Sequence, residues 1–238
     1  MVRAVIFNLL FLFLLLLLIS PWLPQPQLPV PSQTALLLNP VGVLVEQKST
    51  LTPADQLFSE ATGANDSGEV LLQDVLDAIA LAANDERITS MVIVTDWFQG
   101  GGFSQLRDIG NAIQKFRGSG KKVYAWGGSF TQAQYYLASQ ADEIMLNPLG
   151  AVEIEGFGAW QLYYHAALEK LGIKAHVFRV GDFKAAVEPY ERNDMSPEAT
   201  ANYSQLLNEL WTLYLNDISS RRQISADLIS DYITNMDL

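Results

Sequence analysis

Apolar residues follow three patterns along this chain, and each predicts a different kind of element. From Val5 to Ile19 only Asn8 is polar, and Leu9–Leu18 is leucine and phenylalanine throughout. As a helix this stretch reaches about 22 Å, and continuation to Leu23 gives about 28 Å, close to the roughly 30 Å hydrocarbon core of a bilayer. Residues 1–23 therefore read as a transmembrane anchor. A cleaved signal peptide is the competing reading, because Arg3 supplies a positive start, but no small-x-small site follows at Ser20, Pro21 and Trp22. Arg3 stays on the cytoplasmic side, which puts the body across the membrane. Pro21, Pro24, Pro26, Pro29 and Pro31 then prevent helix and favour an extended spacer, assigned to residues 24–33.

Residues 34–238 read as one folded body in which the hydrophobic period switches repeatedly. Thr34–Val45 is rich in strand formers and broken by Pro40 and Gly42, which predicts a strand with a kink or bulge. Over Glu69–Asn84, Val70, Leu72, Val75, Leu76, Ile79 and Ala83 fall on one helical stripe. Ile88–Thr95 is a short apolar run of the kind buried on both faces of a sheet. A helix carrying Leu106, Ile109, Ile113 and Phe116 follows and is stopped by Gly118 and Gly120. Strands are expected at Val123–Trp126, Glu143–Leu146 and Ala175–Val180, and helices at Thr131–Gln140 and Trp160–Leu171. Ser196 and Pro197 give a cap and an N1 proline for a helix to about Ser220, and Ser225 caps a last short one. Strands alternating with helices predict an α/β fold with parallel strands. The chain stops after Asp231–Leu238 with no terminal strand, which reads as an interruption.

Composition narrows the chemistry. The 238 residues contain no cysteine, which excludes disulfides, thiolate metal sites and a thiol nucleophile, and only 2 histidines. A net charge of −11 argues against a nucleic-acid partner, and it keeps the body off anionic lipid headgroups. No cofactor or metal site is expected, since Walker and Rossmann spacings are missing and two histidines leave little material for a histidine-based metal site.

Gly100, Gly101 and Gly102 lie between a strand and a helix, where backbone N–H groups can form an oxyanion hole; a plain flexible turn is the blander reading and the one that spacing favours. His165 in an amphipathic helix and His176 in a strand read as structural or surface residues. No G-x-S-x-G elbow occurs. Lys184 lies between Phe183 and Ala185-Ala186-Val187. A lysine acting as base near neutral pH must lose about 3 units from roughly 10.4, about 4 kcal/mol, and apolar surroundings are what supply it. A solvated lysine at a helix start is the alternative. Glu188 and Arg192 are expected to form surface pairs, Asp142-Glu143 a solvated turn, and Tyr135-Tyr136 and Trp211/Tyr214 core or interface aromatics.

Two stretches carry a family resemblance: GGGFSQLRDIGNAIQKFRGSGKKVYAWGGSFTQAQYYLASQADEIMLNPLGAVEIEGFG and, more specifically, HVFRVGDFKAAVEPYERNDMSPEA. They resemble the N-terminal half of the long-form signal peptide peptidase A (protease IV) family, over essentially the whole chain beyond the hydrophobic leader. The resemblance implies a crotonase- or ClpP-like fold of stacked ββα units, a membrane-bound homo-oligomer, and cleavage of signal-peptide remnants by a Ser-Lys dyad. It matches Lys184 to the family's general base and Gly100–Gly102 to its oxyanion turn. The nucleophilic serine of that family belongs to a C-terminal half, which is absent here. Where that half has serine, glycine, glycine and an aromatic, this chain has Gln132-Ala133-Gln134-Tyr135, so it holds no nucleophile; Ser129 and Thr131 are offset from the position. The expectation is a base-donating half with little or no activity alone. The alternatives are a non-catalytic membrane-tethered scaffold and a crotonase-type acyl-CoA enzyme.

Overall fold

A computed structural model describes residues 2–19, 29–50, 52, 68–178, 180–181 and 184–235. The chain divides into two compact units, Met1–Ser32 and Gln33–Leu238. The first contains the 18-residue helix α1 (Val2–Ile19), whose leucines and phenylalanines are exposed from Phe7 to Leu17. Among the described residues no helix is long and apolar enough to cross a membrane. The continuation to Leu23 and most of the proline spacer lie outside the described residues.

The second unit repeats a ββα motif. Strands β1 (Thr34–Leu38) and β2 (Gly42–Val45) are followed by a short β3 (Glu69–Leu71) and helix α2 (Leu72–Asn84). Next come β4 (Ile88–Val94), β5 (Phe98–Gly100) and α3 (Phe103–Gly118), then β6 (Lys122–Gly127), β7 (Phe130–Thr131) and α4 (Gln132–Ala138). Strands β8 (Glu143–Leu146) and β9 (Val152–Glu153) begin a fourth unit. The first strand of each unit enters a four-stranded parallel sheet, ordered β1-β4-β6-β8. The second strands pair elsewhere, in the parallel groups β3-β2-β5 and β7-β9.

This layout corrects the reading of Thr34–Val45 as one kinked strand. Pro40 and Gly42 mark a transfer between sheets, and Gly42 has φ +97°, a conformation that costs glycine little. It also shortens the helix expected from Glu69, because Glu69–Leu71 pairs with β2 before the helix begins. Met91 and Ile93 of β4, Val123 and Ala125 of β6, and Ile79, Ile109, Ile113 and Phe116 of the helices form the buried centre. A side chain of that size contributes roughly 1.5–3 kcal/mol when fully buried.

The chain continues through α5 (His165–Lys170), a 3-10 turn (Ala185–Val187), α6 (Glu188–Glu191), α7 (Pro197–Arg222) and α8 (Ala226–Thr234). Ser196 and Ser225 cap α7 and α8 as their sequence positions imply, accepting from Ala199 N and Leu228 N. The helix expected over Trp160–Leu171 is confined to α5, because Tyr164 N–H donates to Pro189 O instead of starting a helical ladder upstream. No strand forms at Ala175–Val180 among its described residues, and Phe178 stands 98% exposed. An apolar, strand-like pattern needs a neighbouring strand to complete its hydrogen bonds.

Helix α7 is fastened to the ββα body by polar contacts and by rings. Asp217 accepts from Arg107 Nε (2.8 Å) and from the Tyr136 hydroxyl (2.7 Å). Burial, then the adjacent Asp217 carboxylate, push the Tyr136 phenol well above its usual pKa. Tyr214 lies among Phe103, Tyr136, Phe157 and Trp211.

Asp142 is not a solvated turn residue. It accepts from Arg117 (2.7 Å) and from Val123 N–H (2.9 Å), joining α3 to β6. Burial raises its carboxyl, but Val123 N–H, Arg117 and Lys122 together outweigh burial and hold it below its usual pKa. A depressed carboxylate stabilises the fold above its unfolded value of about 4, and that contribution disappears as pH falls. Asp142→Asn is expected to cost about 1–2 kcal/mol at pH 7 and almost nothing near pH 2. Urea unfolding at the two pH values checks this; an equal loss at both would remove the charge from the explanation.

Candidate active site

Lys184 directly precedes the 3-10 turn and follows Gly181, whose φ is +103°. It is exposed, and it borders a pocket of about 750 Å³. Its lining is mostly apolar, with Phe178, Val180, Ala185, Ala186, Val187 and Ala199, and also includes Gln161, Asn202 and Tyr203. Of the sequence-predicted candidates only Lys184 lies here; none of the lining comes from the glycine turn.

The segment that carries Lys184 is tied down on both sides. Glu188, one helical turn on, is only 2% exposed, and its Oε2 accepts from Ser196 N–H (3.1 Å) at the start of α7. Glu188 is thus not the surface group expected, whereas Arg192 does form a surface pair, with Asp194 at 2.8 Å. Pro189 O accepts from Tyr164 N–H at 2.7 Å, and the Tyr164 and Tyr190 rings stack 6.1 Å apart. Asn193 Oδ1 accepts from Ala166 N–H at 3.0 Å, which adds α5 to the same support.

At the glycine turn, Gly100 has φ +97°. A Cβ on Gly101 would stand 2.7 Å from Leu44 Cβ, so bare backbone is required for close packing. Gly102 N–H donates to Gln105 Oε1 at 2.8 Å, which commits this turn donor to an internal acceptor. Gln134 closes another gap, accepting from Thr131 N–H (2.9 Å) and donating to Phe98 O (2.8 Å).

The two hydroxyls closest in sequence to Gln132 each hold local backbone. Ser129 Oγ accepts from Ala151 N–H at 3.1 Å, and Thr131 Oγ1 caps α4 by accepting from Gln134 N–H at 3.5 Å. Gln132 Oε1 accepts from Glu155 N–H (3.1 Å) and Gly156 N–H (2.7 Å), while its Nε2 donates to Gly156 O (3.2 Å). His165 Nδ1 lies 3.2 Å from Tyr190 O, and His176 is exposed. Among the described residues no group of three or more His, Cys, Asp or Glu side chains converges on a common point. The sequence reading gave Gln134 no role, although Thr131-Gln132-Ala133-Gln134 has the capping-box spacing that could have revealed it.

Comparison with known proteins places these features in context. The model for peptidase family S49 matches residues 115–235. Protease 4 of Salmonella typhi is 42% identical over 229 residues, covering 94% of this chain and 37% of that protein. Protease 4 of Haemophilus influenzae is 41% identical over 198 residues, covering 83% of this chain and 32% of that protein. The chloroplastic serine protease SPPA of Arabidopsis thaliana is 23% identical over 184 residues, covering 77% of this chain and 27% of that protein. The chain thus spans about a third of the length of the curated relatives it matches. Among solved structures, a probable enoyl-CoA hydratase from Mycobacterium smegmatis aligns over 69% of this chain and 78% of its own, with 13% identity and a TM-score of 0.29. One from Mycobacterium thermoresistibile aligns over 70% and 80%, with 15% identity and a TM-score of 0.31. At those scores the architecture is defined by the strand order itself.

Proposed function

The chain belongs to peptidase family S49, and from that premise we propose that it is the base-donating part of a membrane-anchored serine endopeptidase with a Ser-Lys dyad. Lys184 is the general base, and a second, serine-bearing half supplies the nucleophile. The observation that carries this reading is the contrast between Lys184, bordering a mostly apolar pocket, and Ser129 and Thr131, whose hydroxyls hold local backbone. The neutral lysine takes the serine Oγ–H proton as oxygen attacks the peptide carbonyl, and the ammonium then protonates the leaving amine.

Because Lys184 is exposed in this chain, its desolvation must come from what covers it. Phe178 (98% exposed), which lines the same pocket, presents apolar surface there, and covering it with the serine-bearing half in a homo-oligomer would exclude water. The substrate is a peptide with an apolar side chain, as in cleaved signal peptides, which suits the alanines and valines that line the pocket.

The leader anchors the enzyme in the inner membrane with Arg3 on the cytoplasmic side and the body on the periplasmic side. Helix α1 alone measures about 27 Å at 1.5 Å per residue, close to the roughly 30 Å hydrocarbon core. The acyl-CoA reading loses ground because Gly102 N–H already serves Gln105.

Co-expression with a serine-bearing half, followed by a fluorophosphonate probe, tests this directly. Peptide cleavage is expected only with both parts, and labelling only on the added half. Labelling of this chain, or a mixture with no cleavage at all, would overturn the reading and favour a non-catalytic tethered scaffold.

A further inference from the structure

We propose that Gln132, which occupies the nucleophile's equivalent position, is a positioning residue that couples the ββα body to the segment bearing Lys184. The proposal rests on Lys184 being the base.

Gln132 makes 4 hydrogen bonds to two separate parts of the unit: its side chain makes three to Glu155 and Gly156, and its carbonyl accepts from the Tyr214 hydroxyl at 3.0 Å. A carboxamide suits this place because it accepts and donates at once, so it grips both the N–H and the C=O of Gly156, much as a strand neighbour would. Serine is too short to do so and alanine has no polar atom.

Two routes lead from this joint to the base. Along the first, Gly156 is followed by Phe157, whose ring packs on Phe103 (5.6 Å), Trp211 (6.3 Å) and Tyr214 (6.2 Å). The chain then reaches Tyr164, which holds Pro189 O at 2.7 Å, five residues after Lys184. Along the second, Tyr214 sits on α7, whose first turn is held at Ser196 by the buried Glu188. Both routes end on 184–190. The second is contiguous, running from Tyr214 along α7 to Ser196 and Glu188, whereas the first crosses the exposed residues 158–162 between its packed rings and Tyr164. The place that holds a reacting atom in a catalytic half thus serves here as an anchor for the other reacting group.

The test combines amide hydrogen exchange on this chain with kinetics after reconstitution with the serine-bearing half. Gln132→Ala is expected to speed exchange about tenfold at Glu155 and Gly156 and several-fold at Tyr164. It should lower kcat about tenfold with KM within about twofold, because misplacing a base costs turnover more than binding. Gln132→Glu keeps the acceptor for both amides but sets a carboxylate oxygen against Gly156 O, so it should restore only part of kcat. Tyr214→Phe, which removes only the hydroxyl on Gln132 O, should lower kcat about threefold and carries the test if the alanine variant does not fold. Faster exchange confined to Glu155 and Gly156, with Tyr164 and kcat unchanged, would overturn the proposal. An active Lys184→Ala enzyme would instead remove the base assignment while leaving the exchange result intact, so the two failures are distinguishable.

Discussion

Lys184→Ala in the reconstituted peptidase is expected to lower kcat by about 10³-fold or more, with little change in KM. General-base removal leaves the serine hydroxyl to lose its proton to water, while substrate binding depends on the apolar lining of the pocket. Lys184→Arg should be as inactive, because a guanidinium holds its proton throughout the accessible pH range. Stopped assays with an apolar peptide substrate measure this. A Lys184→Ala enzyme that keeps its rate would show that another group takes the proton.

The largest structural effect is expected at Gly42. A Cβ there would lie 1.9 Å from Gly68 O, and the residue has φ +97°. Both problems fall on backbone, since Gly42 N–H donates to Trp97 O (2.9 Å) and Val43 N–H donates to Gly68 O (2.7 Å). Neither neighbour can move aside as a side-chain tip would. Gly42→Ala is therefore expected to cost about 3 kcal/mol or more, a large part of the roughly 5–15 kcal/mol typical of a domain. Gly118→Ala is the matched control: its Cβ meets nothing within 4 Å and it ends helix α3, so stability should hold or rise by up to about 1 kcal/mol. Urea unfolding should show a lower midpoint for Gly42→Ala with an unchanged slope. Equal midpoints for the two variants would mean that β2 does not pass Gly68 as closely as described.

The two ends of the second unit differed in how much their sequence revealed. Ser196-Pro197 and Ser225 located their helices within a residue or two, because a cap is a local bond between a side chain and an amide three residues away. Glu143–Leu146 and the Leu106–Phe116 stripe were equally plain, each with the hydrophobic period of its element. The short second strands, Phe98–Gly100 and Phe130–Thr131, carried no such period, being too brief to show one. Their pairing with β2 and β9 became visible only in three dimensions. At the candidate site, the VGDFKAAVEPY stretch pointed to Lys184 through family resemblance, whereas its support by Glu188 had looked like a surface contact. Spacing of four residues says that two side chains share a helical face; it does not say which of them faces inward.

The amino-acid sequence by itself determined the family, the helix and strand types with a strong period, and the lysine that could serve as base. The family resemblance also sets Gln132 at the position where a C-terminal half would carry its serine. These depend on residue identity and on neighbours within a turn or two. Tertiary structure alone decided that Gly42 marks a change of sheet, that Gly102 N–H is taken by Gln105, and that Gln132 grips Gly156. Such facts depend on which distant backbone groups come within hydrogen-bond reach, a distance of about 3 Å that no local pattern encodes.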